Sequence, residues 1–321
     1  MIRYLFIGIL LISSLKGASQ KLVLKPELDH VNRPITVQHG AIKATFVDNM
    51  AFGPVHKEGY NGIAELYHLG QDSSVFVPFY AGFNLEHIFG GDSLPELMEP
   101  RKNPMELYIA GENEVLLYQP PTLLSNVESI TSFTLVPPHY IDITFRMVAR
   151  SGDFFKHGYA GLFWASYIHS PRDKKIYFFG FEKKGHDKMW LSAFSEKHGV
   201  KSSHLHKNEK HDLYFAPNFN VVLANHFSDL RFDKPYYFGK FHNMVFAYLF
   251  ESDEVIRFSQ SPNGGGPTNP AWDFQYIIPD FEPGKEYSFK VRMIYKPFVS
   301  ETDIANEYRI WERILKEEKG K

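Results

Sequence analysis

Residues 141–149, IDITFRMVA, place Ile141, Ile143 and Phe145 in alternation with Asp142, Thr144 and Arg146. Side chains on an extended backbone point to opposite faces with period two, so this run reads as a half-buried antiparallel strand. Segments of the same kind recur on both sides of it. Runs rich in β-branched and aromatic residues at 42–46, 75–80, 105–109, 115–118 and 129–136 precede it. Others follow at 161–168, 176–181, 189–194, 213–215, 220–223, 236–241, 245–250, 255–258, 274–278 and 287–295. Clusters of Gly, Pro, Asn and Asp divide them, and the pattern predicts roughly sixteen strands joined by turns. So many strands without interspersed helices predict an all-β chain, a large antiparallel β-supersandwich. No fixed-period repeat is present, which counts against a propeller. Pro137 and Pro138 mark either a strand-to-strand turn, the simpler reading, or a seam between halves.

After Phe298 the character changes. Ser300 or Thr302 can cap a helix in which Ile304, Tyr308, Trp311 and Leu315 recur as one apolar stripe, predicting a C-terminal α-helix packed on the sandwich. At the other end, Arg3 precedes an apolar run over residues 4–12, and Gly17, Ala18 and Ser19 follow it. These are the parts of a secretory signal, with Gln20 first in the mature chain. The run is too short for a permanent membrane span, which needs about twenty residues. The expected organisation is a signal peptide over 1–19, a β-supersandwich over 20–298, and a helix with a charged tail over 299–321. Export leads to the periplasm or the medium.

The 321-residue chain is long enough for a sizeable core, and 44% of its residues are hydrophobic. Its formal net charge of −2 gives no basic excess for nucleic acid. It has no cysteine, so neither disulfides nor thiolate metal sites are possible and stability rests on the core.

Three stretches carry chemistry. Residues 259–275, SQSPNGGGPTNPAWDFQ, combine three successive glycines with two prolines, which sustain neither a helix nor a sheet interior. An ordered loop here is expected to wall a binding site, with Trp272 offering an apolar face and Asn269, Asp273 and Gln275 bonding hydroxyls. Residues 84–101, NLEHIFGGDSLPELMEPR, gather Glu86, His87, Glu99 and Arg101 around a Gly-Gly turn. Carboxylates beside an arginine hold hydroxyls or act as acid and base, or else form a plain surface ion pair. Residues 198–211, HGVKSSHLHKNEKH, hold the densest group of titratable side chains. If 203–207 is extended, His204 and His206 share a face, where they would transfer protons, bind a metal with His226 or Asp229, or simply decorate a surface loop. The residues 161–169, GLFWASYIH, are apolar on both faces and predict a central strand with Trp164 in the core.

The strand content and the late RMIYKPF segment at 292–298 resemble the galactose-mutarotase-type supersandwich group over most of residues 35–295. The stretches GLFWASYI, QSPNGGGPTNPAWDFQ and EPRKNPMEL also look like those of exported bacterial proteins of unknown function. The supersandwich group includes aldose epimerases, sugar-binding domains and carbohydrate-active enzymes. Its enzymes often pair a histidine acid with a glutamate base, which implies such roles for His204 or His206 and Glu99, with Arg101 stabilising developing charge. The expected function is an exported carbohydrate-binding or carbohydrate-active protein, an epimerase, lyase or hydrolase without a cofactor. The alternative is a non-catalytic envelope or glycan-binding protein.

Overall fold

Alternating apolar residues form the core of the computed structural model, which describes residues 22, 24, 28–185, 187–252 and 255–320. The expected signal peptide lies outside the described residues. Along the chain come β1 (Asp29–Val31), β2 (Ile35–His39), β3 (Ile42–Val47), β4 (Gly62–His68), β5 (Asn84–Phe89) and the one-turn helix α1 (Glu99–Lys102). Then follow β6 (Glu106–Ile109), β7 (Glu114–Gln119), β8 (Val127–Val136), β9 (Tyr140–Ala149), β10 (Ala160–Ala165), β11 (Ile176–Glu182), β12 (Met189–Ala193) and β13 (Ser203–His206). A second one-turn helix, α2 (Val222–Asn225), leads to β14 (Phe227–Phe232), β15 (Tyr236–Phe241), β16 (Met244–Phe250), β17 (Ile256–Ser261), β18 (Ala271–Ile278) and β19 (Glu286–Pro297). The chain closes on α3 (Glu301–Lys319).

Among the described residues, sixteen strands form one sheet in the order β1-β6-β7-β8-β9-β19-β16-β15-β11-β14-β13-β17-β18-β10-β5, with β12 paired to β11. A separate small sheet holds β2-β3-β4. Strand β11 meets β15 through Ile176 and Tyr177 and β14 through residues 180–182, so the large sheet forks there. Its two arms then lie face to face. Trp164 on β10 meets Phe145 on β9 at 4.8 Å and Phe289 on β19 at 5.0 Å between ring centroids. Phe274 on β18 meets Phe250 on β16 at 4.8 Å, so aromatic rings from both arms interlock across the sandwich. The pairing is antiparallel except between β13 and β14. Residues 207–226 join those two, and a crossover of that length lets them run the same way.

The 141–149 run is β9, with Ile141, Ile143 and Phe145 buried as its alternation requires. Pro137 and Pro138 lie in the turn between β8 and β9. Several expected strands fail. Residues 75–80 make only isolated bridges, because Pro78 has no donor and Phe79 takes a φ of 70°. No strand forms over 213–215, and 220–223 runs into helix α2. The expected loop over 259–275 shrinks to residues 262–270. Its flanks pair as a hairpin through Ser259↔Asp273, Gln260↔Trp272 and Ser261↔Ala271.

Helix α3 begins where expected, with Ser300 Oγ accepting from Asp303 N at 3.1 Å. Ile304, Tyr308, Trp311 and Leu315 bury against Phe238, Ala247 and Ile294 on the outer face of β15, β16 and β19. Glu307 anchors the helix by pairing with Lys296 and accepting from Tyr140 Oη at 2.8 Å. Burial alone would raise the Glu307 carboxyl, but His139, Lys296 and Tyr140 together hold it down to about 2. A depressed carboxylate stabilises the fold above its unfolded value and loses that contribution as pH falls through the folded one. Glu307→Gln is therefore expected to cost about 2 kcal/mol at pH 7, with the gap to wild type closing between about pH 5 and pH 2. Urea titrations at a series of pH values measure it, and a gap that stays constant with pH would contradict it.

Candidate functional site

Strand β5 contributes two polar side chains to one face because it carries a bulge. Opposite β10, Phe163 pairs with His87 while Trp164 pairs with Leu85, which leaves Glu86 as the extra residue. A bulge re-aims the side chains beside it. Leu85 and Ile88 point into the sandwich core, whereas Glu86 and His87 meet Tyr167 and Phe163 on the other face. Strand β18 supplies the third polar group by plain alternation, with Trp272 and Phe274 turned into the core and Asp273 and Gln275 turned away from it.

The backs of β5, β10 and β18 form a floor, roofed by α2 and the segments that precede it. Phe219, Val221, Leu223 and Ala224 pack there with Phe89, Phe163 and Ala165. Asn220 and Leu94 exchange hydrogen bonds of 2.8 and 2.9 Å, which ties the roof to the chain after β5. Between floor and roof lies a cavity of about 130 Å³ lined by Glu86, His87, Tyr167 and Asp273 below and by Met98, His198 and Asn263 at its sides.

Arg101, on α1, organises the charges. Its Nη2 lies 2.9 Å from Glu86 Oε1 and donates to Tyr167 Oη at 2.6 Å and to Asn84 Oδ1 at 2.7 Å. Tyr167 Oη in turn donates to Glu86 Oε1 at 2.7 Å, and the guanidinium lies 4.3 Å from the Tyr60 ring centroid. Burial would raise the Glu86 carboxyl, but Arg101, then His87 and Tyr167, hold it below its ordinary value and it stays ionised. Burial pushes the Tyr167 hydroxyl well up, with Glu86 adding to the effect.

Asp273 is the opposite case. It is 1% exposed, its Oδ1 accepts from Ser166 N at 2.9 Å, and burial followed by the nearby Glu86 charge pushes its carboxyl well above the ordinary value. One carboxyl in the cavity is held below the ordinary carboxylate value and the other is pushed well above it. His87 completes the set. Its Nδ1 lies 2.6 Å from Leu97 O, an acceptor, so Nδ1 carries the hydrogen and Nε2 presents a lone pair 3.6 Å from Glu86 Oε2. Burial lowers the imidazole below 6.5, against the pull of Glu86, so it is neutral at pH 7.

Of the residues singled out in the sequence, Glu86, His87, Arg101 and Asp273 come together. The others do not. Trp272 is fully buried between the sheets, its Nε1 donates to Lys174 O at 3.1 Å, and its ring lies so close to Gly239 that a Cβ there would sit 2.2 Å from it. It is core and offers no ring to a ligand. Gln275 faces the floor side, where its Nε2 donates to Ser203 Oγ and Ser259 Oγ at 2.8 Å each. Asn269 holds the hairpin loop, accepting from Ser170 N at 2.9 Å and donating to Gly265 O at 3.1 Å. The loop does wall the cavity, through Asn263.

Glu99 is buried away from the cavity, its Oε1 accepting from Leu124 N at 2.5 Å and Ser125 N at 2.8 Å. Residues two apart on a helical turn do not share a face, which sends Glu99 and Arg101 in different directions. His204 and His206 share a strand face as their spacing requires, but that face is the core. His204 lies 5.2 Å from Phe178, its Nδ1 is 2.6 Å from Ser228 Oγ, and burial followed by Arg231 lowers it to about 3. His206 packs on Phe232 at 5.3 Å. Among the described residues no group of three His, Asp or Glu converges as a metal site would require. The histidine of that stretch that reaches the cavity is His198.

No protein-family model matches the chain, and no curated protein matches its sequence. Solved structures do. A candidate aldose 1-epimerase from Escherichia coli K12 superposes with a TM-score of 0.50 at 8% identity, covering 83% of this chain and 99% of that one. A galactose mutarotase related enzyme from Lactobacillus acidophilus gives 0.49 at 10% identity, covering 83% and 100%. An alpha-N-acetylgalactosaminidase from Bifidobacterium bifidum gives 0.48 at 8% identity, covering 86% of this chain and 38% of that one. The chain has the galactose mutarotase-like sandwich fold.

Proposed function

We propose that the protein binds a carbohydrate in the cavity over β5, β10 and β18 and moves protons on it, opening and reclosing the hemiacetal ring at a reducing end. The observation that carries this reading is the convergence of the Glu86 and Asp273 carboxyls and the His87 imidazole on one cavity, where Arg101 holds the first carboxyl down and burial pushes the second up. Environments that push two titratable groups in opposite directions assign the acid and the base, here the raised Asp273 and the lowered His87. Asp273 is the acid and gives its proton to the ring oxygen. His87 Nε2 is the base and takes the proton from the anomeric hydroxyl. The bond between the anomeric carbon and the ring oxygen breaks, an open aldehyde forms, and the reverse transfers close the ring on either face. Glu86, fixed by Arg101 and Tyr167, accepts a sugar hydroxyl and stabilises the imidazolium that His87 becomes. That the Escherichia coli structure with the same fold is described as a candidate aldose 1-epimerase supports the choice of ligand class.

The test is anomeric exchange of reducing sugars followed by magnetisation-transfer NMR across pH. The base works only when deprotonated and the acid only when protonated. Catalysis is therefore expected above the lowered His87 value and below the raised Asp273 value, with an acid limb under 6.5. His87→Asn should remove that limb together with the rate. Sugar binding without any acceleration would favour a non-catalytic binding protein.

Export remains part of the proposal, supported by Arg3, the apolar run over 4–12 and the small residues through Ser19. Among the described residues no helix is long and apolar enough to cross a membrane. Sequencing the amino terminus of the protein recovered outside the cytoplasm should read Gln20 first, and a retained Met1 would sink the idea.

A further inference from the structure

On the far side of α1 from the catalytic cavity lies a second, larger depression. It is a cleft of about 620 Å³ walled by Tyr60, Met50, Met98, Arg101, Lys102 and Met105. Met98, the residue before α1, lines both compartments, so the two adjoin at its side chain. Arg101 serves both sides. Its Nε and Nη2 are committed to Asn84, Tyr167 and Glu86, while Nη1 lies 3.7 Å from Met98 Sδ at the border of the cleft. Pockets for a drug-sized ligand usually measure about 300–1,000 Å³. The inner cavity falls below that range and the cleft lies within it. Nothing in the acid-base chemistry uses the cleft.

We infer that the cleft receives the second unit of an oligosaccharide whose reducing-end unit occupies the inner cavity. This rests on the carbohydrate reading of that cavity. The lining suits a pyranose, which has an apolar face and a hydroxyl rim. Tyr60 is half-buried and already carries the Arg101 guanidinium against its ring, and the three methionines give an apolar surface that adapts its shape. Charges of both signs stand exposed at the rim in Glu58 and in Lys102, whose Nζ donates to Glu96 Oε2 at 2.7 Å. A chain of two sugars crossing Met98 would lie over Arg101, whose inner half fixes the Glu86 carboxylate.

Isothermal titration of the full chain tests this. Glucose, galactose and N-acetylglucosamine are each compared with reducing disaccharides carrying the same unit at the reducing end, cellobiose and chitobiose among them. At least one disaccharide is expected to bind about tenfold more tightly than its monosaccharide, a difference of about 1.4 kcal/mol. Met50→Trp adds bulk to the cleft at a residue 59% exposed and should erase that ratio. Lys102→Ala should reduce it. Monosaccharides that bind as tightly as disaccharides, or a ratio untouched by Met50→Trp, would overturn the cleft assignment and leave the inner site standing. If no sugar of either length binds, the carbohydrate reading and the cleft assignment fall together.

Discussion

Asp273→Asn is expected to slow anomeric exchange by about a hundredfold to ten-thousandfold, the usual contribution of a positioned acid, and to raise the melting temperature. Both results follow from one cause. Burial beside the Glu86 charge pushes the Asp273 carboxyl well above its ordinary value, and the proton it holds there is the one the proposed reaction uses. Keeping it has a stability cost. A carboxyl with a folded pKa above its unfolded value stabilises the fold fully only below the unfolded value, and the contribution is lost as pH rises toward the folded one. Asparagine has nearly the same shape, can still accept from Ser166 N, and does not titrate. Its advantage in stability should grow from about pH 4 upward and level off at the folded value of Asp273, adding about 1.5–2 °C for each kcal/mol relieved in a chain of this length. Thermal melts of both proteins across pH, read beside the exchange rate, measure it. A variant that loses both activity and stability would show that Asp273 is ionised and structural.

Arg101→Met carries the largest expected loss of stability, about 3–5 kcal/mol, the range for removing one partner of a buried ion pair. Arg101 is 8% exposed and Glu86 7% exposed, so an unpaired Glu86 carboxylate would be left without solvent. Asn84 Oδ1 and Tyr167 Oη would lose their donor as well. A loss of that size is a large part of the stability of an ordinary domain. The companion experiment is Glu86→Gln in the same background. Removing the second charge should return most of the lost stability, because uncompensated burial and not the missing contact is the main cost. Denaturant titration of the two single variants and the double variant closes the cycle. If the losses simply add, the pair is not coupled and the network as described is wrong.

Several features of this protein were determined by the sequence itself. Strict alternation in 141–149 dictates β9, because an extended backbone turns each side chain to the opposite face whatever surrounds it. Ser300 and the stripe from Ile304 to Leu315 dictate α3 in the same local way. Supersandwich architecture follows from many such strands in succession, and half of the site was legible as a cluster of titratable groups around Glu86, His87 and Arg101.

What the sequence did not decide is which face each candidate side chain would occupy. Trp272 and Asp273 are adjacent, and once β18 extends back to Ala271 they must point to opposite sides, the ring into the core and the carboxyl into the cavity. Glu86 and His87 are adjacent too, yet the β5 bulge turns both to one side. The pattern Leu85, Glu86, His87, Ile88 is the trace a bulge leaves in an otherwise buried strand, but its partner strand is needed to recognise it. The histidine pair made the same point in reverse, since period two placed His204 and His206 on one face and only the packing of β13 against Phe178 and Phe232 made that face the core. Local geometry sets how neighbouring side chains are related, and tertiary packing decides which of them meet a ligand.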